Sequence, residues 1–178
     1  MGRPDLASTF TKIALWKQVQ FRKIVFMDAD ALCLRAPDEL FDLDTSFAAA
    51  PDAGWPDTFN SGVLVLEPSL EVFDVLLEMA KGAESMDGGD QGLLNLYFPH
   101  FERLAFLYNV TTFKTFRLNV PALQHFHDDI CIVHFTGAPK PWAKAAMEKE
   151  PTHPYEEFYN WTLKRWWAVH DEHLKADC

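Results

Sequence analysis

Apolar residues at Leu6, Phe10, Ile13 and Trp16 recur at steps of four, three and three, so the chain is predicted to open on a helix. Ile24-Val25-Phe26-Met27 then forms a continuous apolar run after Lys23 and ends at Asp28. Such a run predicts a strand buried on both faces of a parallel sheet, with Asp28 at the carboxyl end, where open α/β sheets leave a crevice for ligands. Ala31 to Leu34 resume the apolar character, and Pro37 to Phe41 predict a short helix with proline and acids in its first turn. Phe47 to Ala50 predict a strand stopped by Pro51, residues 52–57 a loop, and Gly62 to Leu66 another strand. A helix is predicted from Pro68-Ser69 to Gly82 with Leu70, Phe73, Leu76, Leu77 and Ala80 as its buried stripe. Asp87 to Gly92 form a loop feeding a short helix through Leu93, Leu94 and Leu96. Phe106 to Val120 predict short strands of open pairing, Ile130 to Phe135 a buried strand, and Gly137 to Trp142 a loop. Tyr155 to about Lys175 form a last helix carrying Phe158, Trp161, Trp166, Trp167 and Val169. This alternation predicts an α/β fold with a mainly parallel sheet flanked by helices, residues 1–150 as one domain and 151–178 as a helical extension.

The 178 residues suffice for one compact domain with a sizeable core. Hydrophobic residues at 48% and charged residues at 24% exclude a disordered chain. With 26 acidic against 16 basic side chains the formal charge is −10, which repels polyanions, so no nucleic-acid partner is expected. No segment reads as a signal peptide and no apolar run approaches the roughly 20 residues that span a bilayer, so a soluble chain without a membrane partner is expected. Cys33, Cys131 and Cys178 are odd in number and lack metal-type spacing, which fits reduced thiols in the cytoplasm. The sequons at Asn109 and Asn160 are discounted accordingly.

Asp28-Ala29-Asp30 is the most informative constellation. Two carboxylates flanking one small residue can aim at a common point if the backbone leaves the strand there, and together they suit a hard divalent cation such as Mg²⁺ or Mn²⁺. The plain alternative is a solvated acidic loop. Phosphohydrolases with an aspartate nucleophile and nucleotide-sugar transferases both place such a pair at a strand end. The former pattern wants a glycine and a threonine just after the pair, where this chain has Ala31 and Leu32, and so it ranks second.

Read onward, the chain resembles the glycogenin branch of glycosyltransferase family eight. The matching blocks are Phe26-Met27-Asp28-Ala29-Asp30, Ala50-Pro51-Asp52 with Gly54-Trp55-Pro56-Asp57, Phe59-Asn60-Ser61-Gly62-Val63, Asp87-Gly88-Gly89-Asp90-Gln91-Gly92, and His134-Phe135 with Gly137, Lys140, Pro141 and Trp142. They keep family order over about residues 8 to 142. The resemblance implies a retaining glycosyltransferase of the nucleotide-diphospho-sugar type A fold, using Mn²⁺ and usually UDP-glucose or a related UDP-sugar, with a glucan or other hydroxyl acceptor. It makes residues 1–150 a partial catalytic domain.

Carried over by residue, Asp28, Asp30 and His134 would hold the metal, with Ala29 between them on the donor; a packed core histidine is the alternative for His134. Lys140, in the loop with Gly137, would meet the diphosphate and neutralise charge on the leaving group. Lys12 matches a family lysine near the donor, against the alternative of a surface-helix lysine. Asp52, Asn60, Ser61, Asp87, Asp90 and Gln91 would line the sugar and acceptor side, where bonds to hydroxyls give specificity. Asp90 reads equally as the N-cap of the following helix, and the two roles are compatible. Asp90 and Lys140 are the catalytic candidates, but no nucleophile role is given to Asp90; metal-assisted departure of UDP is the narrower reading.

Family members begin with a strand, helix and further strands that form half of the nucleotide site, whereas this chain starts at the helix before Asp28; an N-terminally truncated domain with weakened UDP-glucose binding is expected. The self-glucosylated tyrosine of glycogenins precedes a proline-alanine pair, and Thr115 to Ala122 contain none. A truncated pseudo-enzyme that binds a partner in glycogen synthesis is therefore the competing reading. Elsewhere, His170 with His173 forms a weak metal candidate without a third ligand, His125 to Asp129 reads as a polar loop, and Trp166-Trp167 reads as core or contact surface before a homodimer or carbohydrate contact.

Overall fold

The computed structural model describes residues 9–82, 85–112, 119–143 and 150–175. In chain order the elements are a 3₁₀ helix at Thr9–Leu15, β1 at Ile24–Met27, β2 at Ala31–Cys33, a 3₁₀ helix at Asp38–Asp42, β3 at Phe47–Pro51 and β4 at Phe59–Leu66. There follow α1 at Leu70–Lys81, α2 at Asp90–Tyr97, β5 at Glu102–Arg103, a 3₁₀ turn at Phe106–Tyr108, β6 at Val110–Thr111, α3 at Val120–His125, a 3₁₀ turn at His127–Asp129, β7 at Ile132–His134 and α4 at Pro154–Lys175. They form two compact units, one of Met1–Met27 with Pro37–Phe106, the other of Asp28–Ala36 with Leu107–Cys178.

The first unit holds a sheet of order β1-β4-β3-β5. β4 lies inside it, and Val63 to Leu66 are fully buried, which explains a continuous apolar run rather than alternation. Against this sheet pack Ile13, Trp16, Leu76, Leu93 and Leu94, with the Phe47 and Phe98 rings stacked at 3.9 Å. Ser69 caps α1 by accepting the amide of Val72 at 3.3 Å. The second unit holds a sheet of order β2-β7-β6, with Cys131, Ile132 and Val133 fully buried and Leu163 of α4 among its core residues.

The α/β class holds, but the predominance of parallel pairing does not. Among the described residues β1–β4, β3–β4 and β2–β7 are antiparallel, and β3–β5 and β6–β7 are parallel. The physical reason is local for β3 and β4, whose short connection at residues 52–58 permits only a hairpin. β1 is half-buried along its length, not enclosed on both faces, because among the described residues it stands at the end of the sheet order beside β4.

Other expectations shift by less. The opening helix is 3₁₀ rather than α; Ile13 and Trp16 are buried in it, while Leu6 and the Phe10 side chain lie outside what is described. The buried stripe of α1 centres on Leu76 with Val72, Phe73, Met79 and Ala80, whereas Leu70 and Leu77 face outward at 52% and 38% exposure. Pro51 does not stop β3 but continues it through an irregularity, pairing with Phe59. Cys33 and Cys131 are thiols outside any disulfide, and both donate to the carbonyl oxygen of Arg35. Cys178 and residues 113–118, within the run that lacks a tyrosine, lie outside the described residues.

Candidate active site

β1 ends at Met27, and the chain turns at once: the Ala31 amide donates to the Asp28 carbonyl at 3.0 Å, a reverse turn with Ala29 exposed near its tip. The turn leads into β2, whose Ala31 stands opposite His134 at the end of β7, and the Phe135 amide donates to the Asp30 carbonyl at 2.8 Å. This register is what brings residues more than a hundred positions apart into one cluster. His134 Nε2 lies 3.2 Å from Asp30 Oδ1 and 3.9 Å from Asp28 Oδ2. One ligand atom from each of Asp28, Asp30 and His134 falls within 4.8 Å of the others.

His134 is oriented from behind. Its Nδ1 is 3.0 Å from Asn109 Oδ1, and Asn109 is itself 1% exposed just before β6. An amide oxygen can only accept, so Nδ1 carries the proton and Nε2 turns toward the carboxylates. Two carboxylate oxygens and an imidazole nitrogen converging in this way are a donor set for a divalent ion of the Mn²⁺ or Mg²⁺ kind. In the sequence Asn109 is marked only as part of a sequon, and nothing local places it behind His134.

Lys140 closes the other side of Asp30. Its Nζ donates to Asp30 Oδ2 at 2.5 Å and to the Phe135 carbonyl at 2.7 Å. The loop that returns Lys140 passes through Gly137 at φ +82°, a left-handed conformation that a side chain would strain. Partial burial by itself raises the Asp30 pKa. Hydrogen bonds and positive charge from His134 and Lys140 outweigh that and hold the carboxyl well below the usual aspartate range.

A second polar network lies within the first unit. Lys12 Nζ sits 2.7 Å from Asp90 Oδ2 and donates to Ser61 Oγ and the Ser61 carbonyl at 3.2 Å each. Ser61 Oγ donates to the same Asp90 oxygen at 3.0 Å. Gln91 Oε1 accepts from Asn60 Nδ2 at 3.0 Å and from the Ser61 amide at 3.2 Å, while Gln91 Nε2 reaches Asp52 Oδ2 at 3.5 Å. Asp52 Oδ1 accepts the amides of Gly54 and Trp55, tying it into its loop. Lys12 is therefore not a surface lysine: its side chain is 14% exposed and that of Asp90 11%.

Two expectations about α2 change places. Asp90 is not its N-cap; Gly89 is, and Asp90 occupies the first helical position with its carboxylate on Lys12 and Ser61. The capping falls to Asp87, whose Oδ1 accepts the amides of Gly89 at 2.8 Å and Gly92 at 2.9 Å and the Ser85 hydroxyl at 3.0 Å. Gly92 must be glycine, since a Cβ there would lie 2.4 Å from Asp87 Oδ1 and 2.6 Å from the Asp87 nitrogen. Asn95, which carries no signal of its own in the sequence, clasps both backbone groups of Phe59 at 2.9 and 3.0 Å and so fixes α2 to β4. His170 and His173 join no metal cluster among the described residues; the His170 ring stacks on Trp166 at 5.1 Å.

These features define a type A nucleotide-sugar transferase fold carrying an Asp-X-Asp turn. The solved glycosyltransferase GlyE of Streptococcus pneumoniae superposes with a TM-score of 0.63 at 23% identity, over 91% of this chain and 47% of that one. The family model for glycosyl transferase family 8 matches residues 5–146. Glycogenin of Neurospora crassa is 49% identical over 99% of this chain and 25% of its own length, and mouse glycogenin-1 is 41% identical over 94% and 53%. The chain thus spans from a quarter to about half the length of the curated relatives it matches. It belongs to glycosyl transferase family 8.

Proposed function

We propose that the chain transfers glucose from UDP-glucose to a hydroxyl acceptor, a glucan end or a similar alcohol, with retention at the anomeric carbon and with Mn²⁺ bound by Asp28, Asp30 and His134. The observation that carries this reading is the convergence of those three side chains, with Lys140 on the outer oxygen of Asp30. When bound, the ion supplies a Lewis acid that neutralises charge on the diphosphate. Lys140 adds a second positive charge for the leaving group. In the transfer the bond from the anomeric carbon to the diphosphate breaks, the bond to the acceptor oxygen forms, and the acceptor proton leaves with UDP. Asn60, Ser61, Asp90 and Gln91, with Asp52 and Lys12, supply donors and acceptors for sugar hydroxyls. Asp87 acts by fixing the start of α2 and so the positions of Asp90 and Gln91.

Residues 1–150 make up the catalytic portion in this reading and 151–178 an extension, and Cys33 and Cys131 as thiols suit a cytoplasmic setting. No described helix is long and apolar enough to cross a membrane. The test is release of UDP from UDP-glucose by the folded chain in Mn²⁺, expected to disappear in Asp28→Ala and Asp30→Ala. Absence of release by a demonstrably folded chain overturns the proposal; binding of UDP without turnover would instead assign the chain to a partner-binding role.

A further inference from the structure

A cavity of about 350 Å³ opens on the second unit, and none of the residues assigned above lines it. Its lining is Gln124 from the end of α3, His127 and Asp128 from the following 3₁₀ turn, and Glu157, Phe158 and Trp161 from the first turns of α4. Phe158 and Trp161 are one helical turn apart and so share a face. The His127 ring packs against both, 5.4 Å from Phe158 and 4.5 Å from Trp161. His127 Nδ1 is in turn 2.8 Å from Asp128 Oδ1. The result is an aromatic wedge whose rim carries an amide, an imidazole and two carboxylates.

That lining selects among ligand classes. Among the described residues neither lysine nor arginine lines the cavity, which disfavours a phosphate or a nucleotide. A cationic ligand would find aromatic rings and carboxylates, but Arg165 already lies over the Trp161 ring at 5.8 Å and Asp128 is already engaged by His127. What remains is apolar ring surface edged by uncharged and acidic hydrogen-bonding groups, and the volume falls at the small end of ligand pockets, roughly 300 to 1,000 Å³. A hexose ring matches this pattern, since its C–H face packs on an aromatic surface while its hydroxyls reach the rim. We propose that this cavity binds a neutral oligosaccharide, one or two hexose units of a longer chain, independently of the metal cluster.

The test needs neither metal nor nucleotide, so its outcome is separate from that of the transferase assay. The full chain is titrated calorimetrically with maltoheptaose, and then in the Gln124→Ala, Glu157→Ala double variant, whose side chains are exposed and whose fold is checked by circular dichroism. Saturable binding is expected, weakened about tenfold or more in the double variant. No binding, or binding of equal strength in the double variant, overturns the proposal. So does displacement of maltoheptaose by choline, which would mark the cavity as a cation site.

Discussion

Asn109 holds His134 in one orientation: its side-chain oxygen accepts a hydrogen bond from Nδ1 at 3.0 Å, and the opposite ring nitrogen faces Asp30 at 3.2 Å. The pair couples a buried amide just before β6 to the end of β7 that carries the Asp28-Asp30-His134 cluster. Partners of this kind fix the ring and its tautomer, and their loss lowers metal affinity about 10- to 100-fold. Asn109→Ala is therefore expected to weaken Mn²⁺ binding by that factor, read by electron paramagnetic resonance of free Mn²⁺, with the fold retained. Unchanged affinity would show that His134 needs no support from Asn109.

Lys12 and Asp90 form a nearly buried ion pair shared with Ser61. Removing one charge strands the other in a poorly solvated position, which costs about 3 kcal/mol, whereas removing both does not. Lys12→Met should lower unfolding stability by about that amount in urea titrations. The Lys12→Met, Asp90→Leu double variant should recover most of the loss, and additive destabilisation would contradict the pairing.

At Gly92 the backbone of the preceding loop leaves no room for a side chain, because the nearest atoms include the Asp87 nitrogen at 2.6 Å. Gly92→Ala must push the loop away and is expected to cost about 2 kcal/mol. Asp87→Ala removes a cap without adding bulk and is expected to cost about 1 kcal/mol. Thermal unfolding of the two variants side by side checks the order; a larger effect for Asp87→Ala would contradict the steric account.

The start of α4 contributes its own pH dependence. Glu156 accepts the Thr152 amide at 2.6 Å, the Thr152 hydroxyl at 2.9 Å and the His153 amide at 3.1 Å, a capping arrangement. The backbone hydrogen bond from Thr152, followed by its hydroxyl, holds the carboxyl below the ordinary glutamate value. A depressed folded-state pKa means that the stabilisation is complete above the ordinary value of 4.5 and is lost as pH falls through the lowered one. Helical ellipticity of the wild type should therefore fall with acid in that window more than that of Glu156→Gln. Parallel titrations of the two would contradict the capping role.

Much of the Asp28-Asp30-His134 cluster is legible in the sequence because its parts sit where strands end. Asp28 and Asp30 follow an apolar run, and His134 closes another, so the pattern alone places them at strand termini. Asn109 is not legible, since nothing local says that the residue before a two-residue strand will lie behind His134. The capping of α2 was misassigned because both Asp87 and Asp90 are good cap residues, and only the path of Gly88, at φ +78°, decides between them. Strand direction was misjudged for a related reason: an apolar run records burial, whereas direction is set by connections, and the loop at residues 52–58 turns β4 back along β3. In α1 the outward Leu70 and Leu77 show that periodicity gives the width of an apolar face more readily than its centre.

The most direct measurement is an anomalous difference map from crystals of the chain grown with MnCl₂ and UDP. A manganese peak within bonding distance of Asp28, Asp30 and His134, with the diphosphate on its open side, is the predicted result. A fully occupied manganese elsewhere, with Asp28, Asp30 and His134 left bare in an otherwise ordered map, would contradict the account.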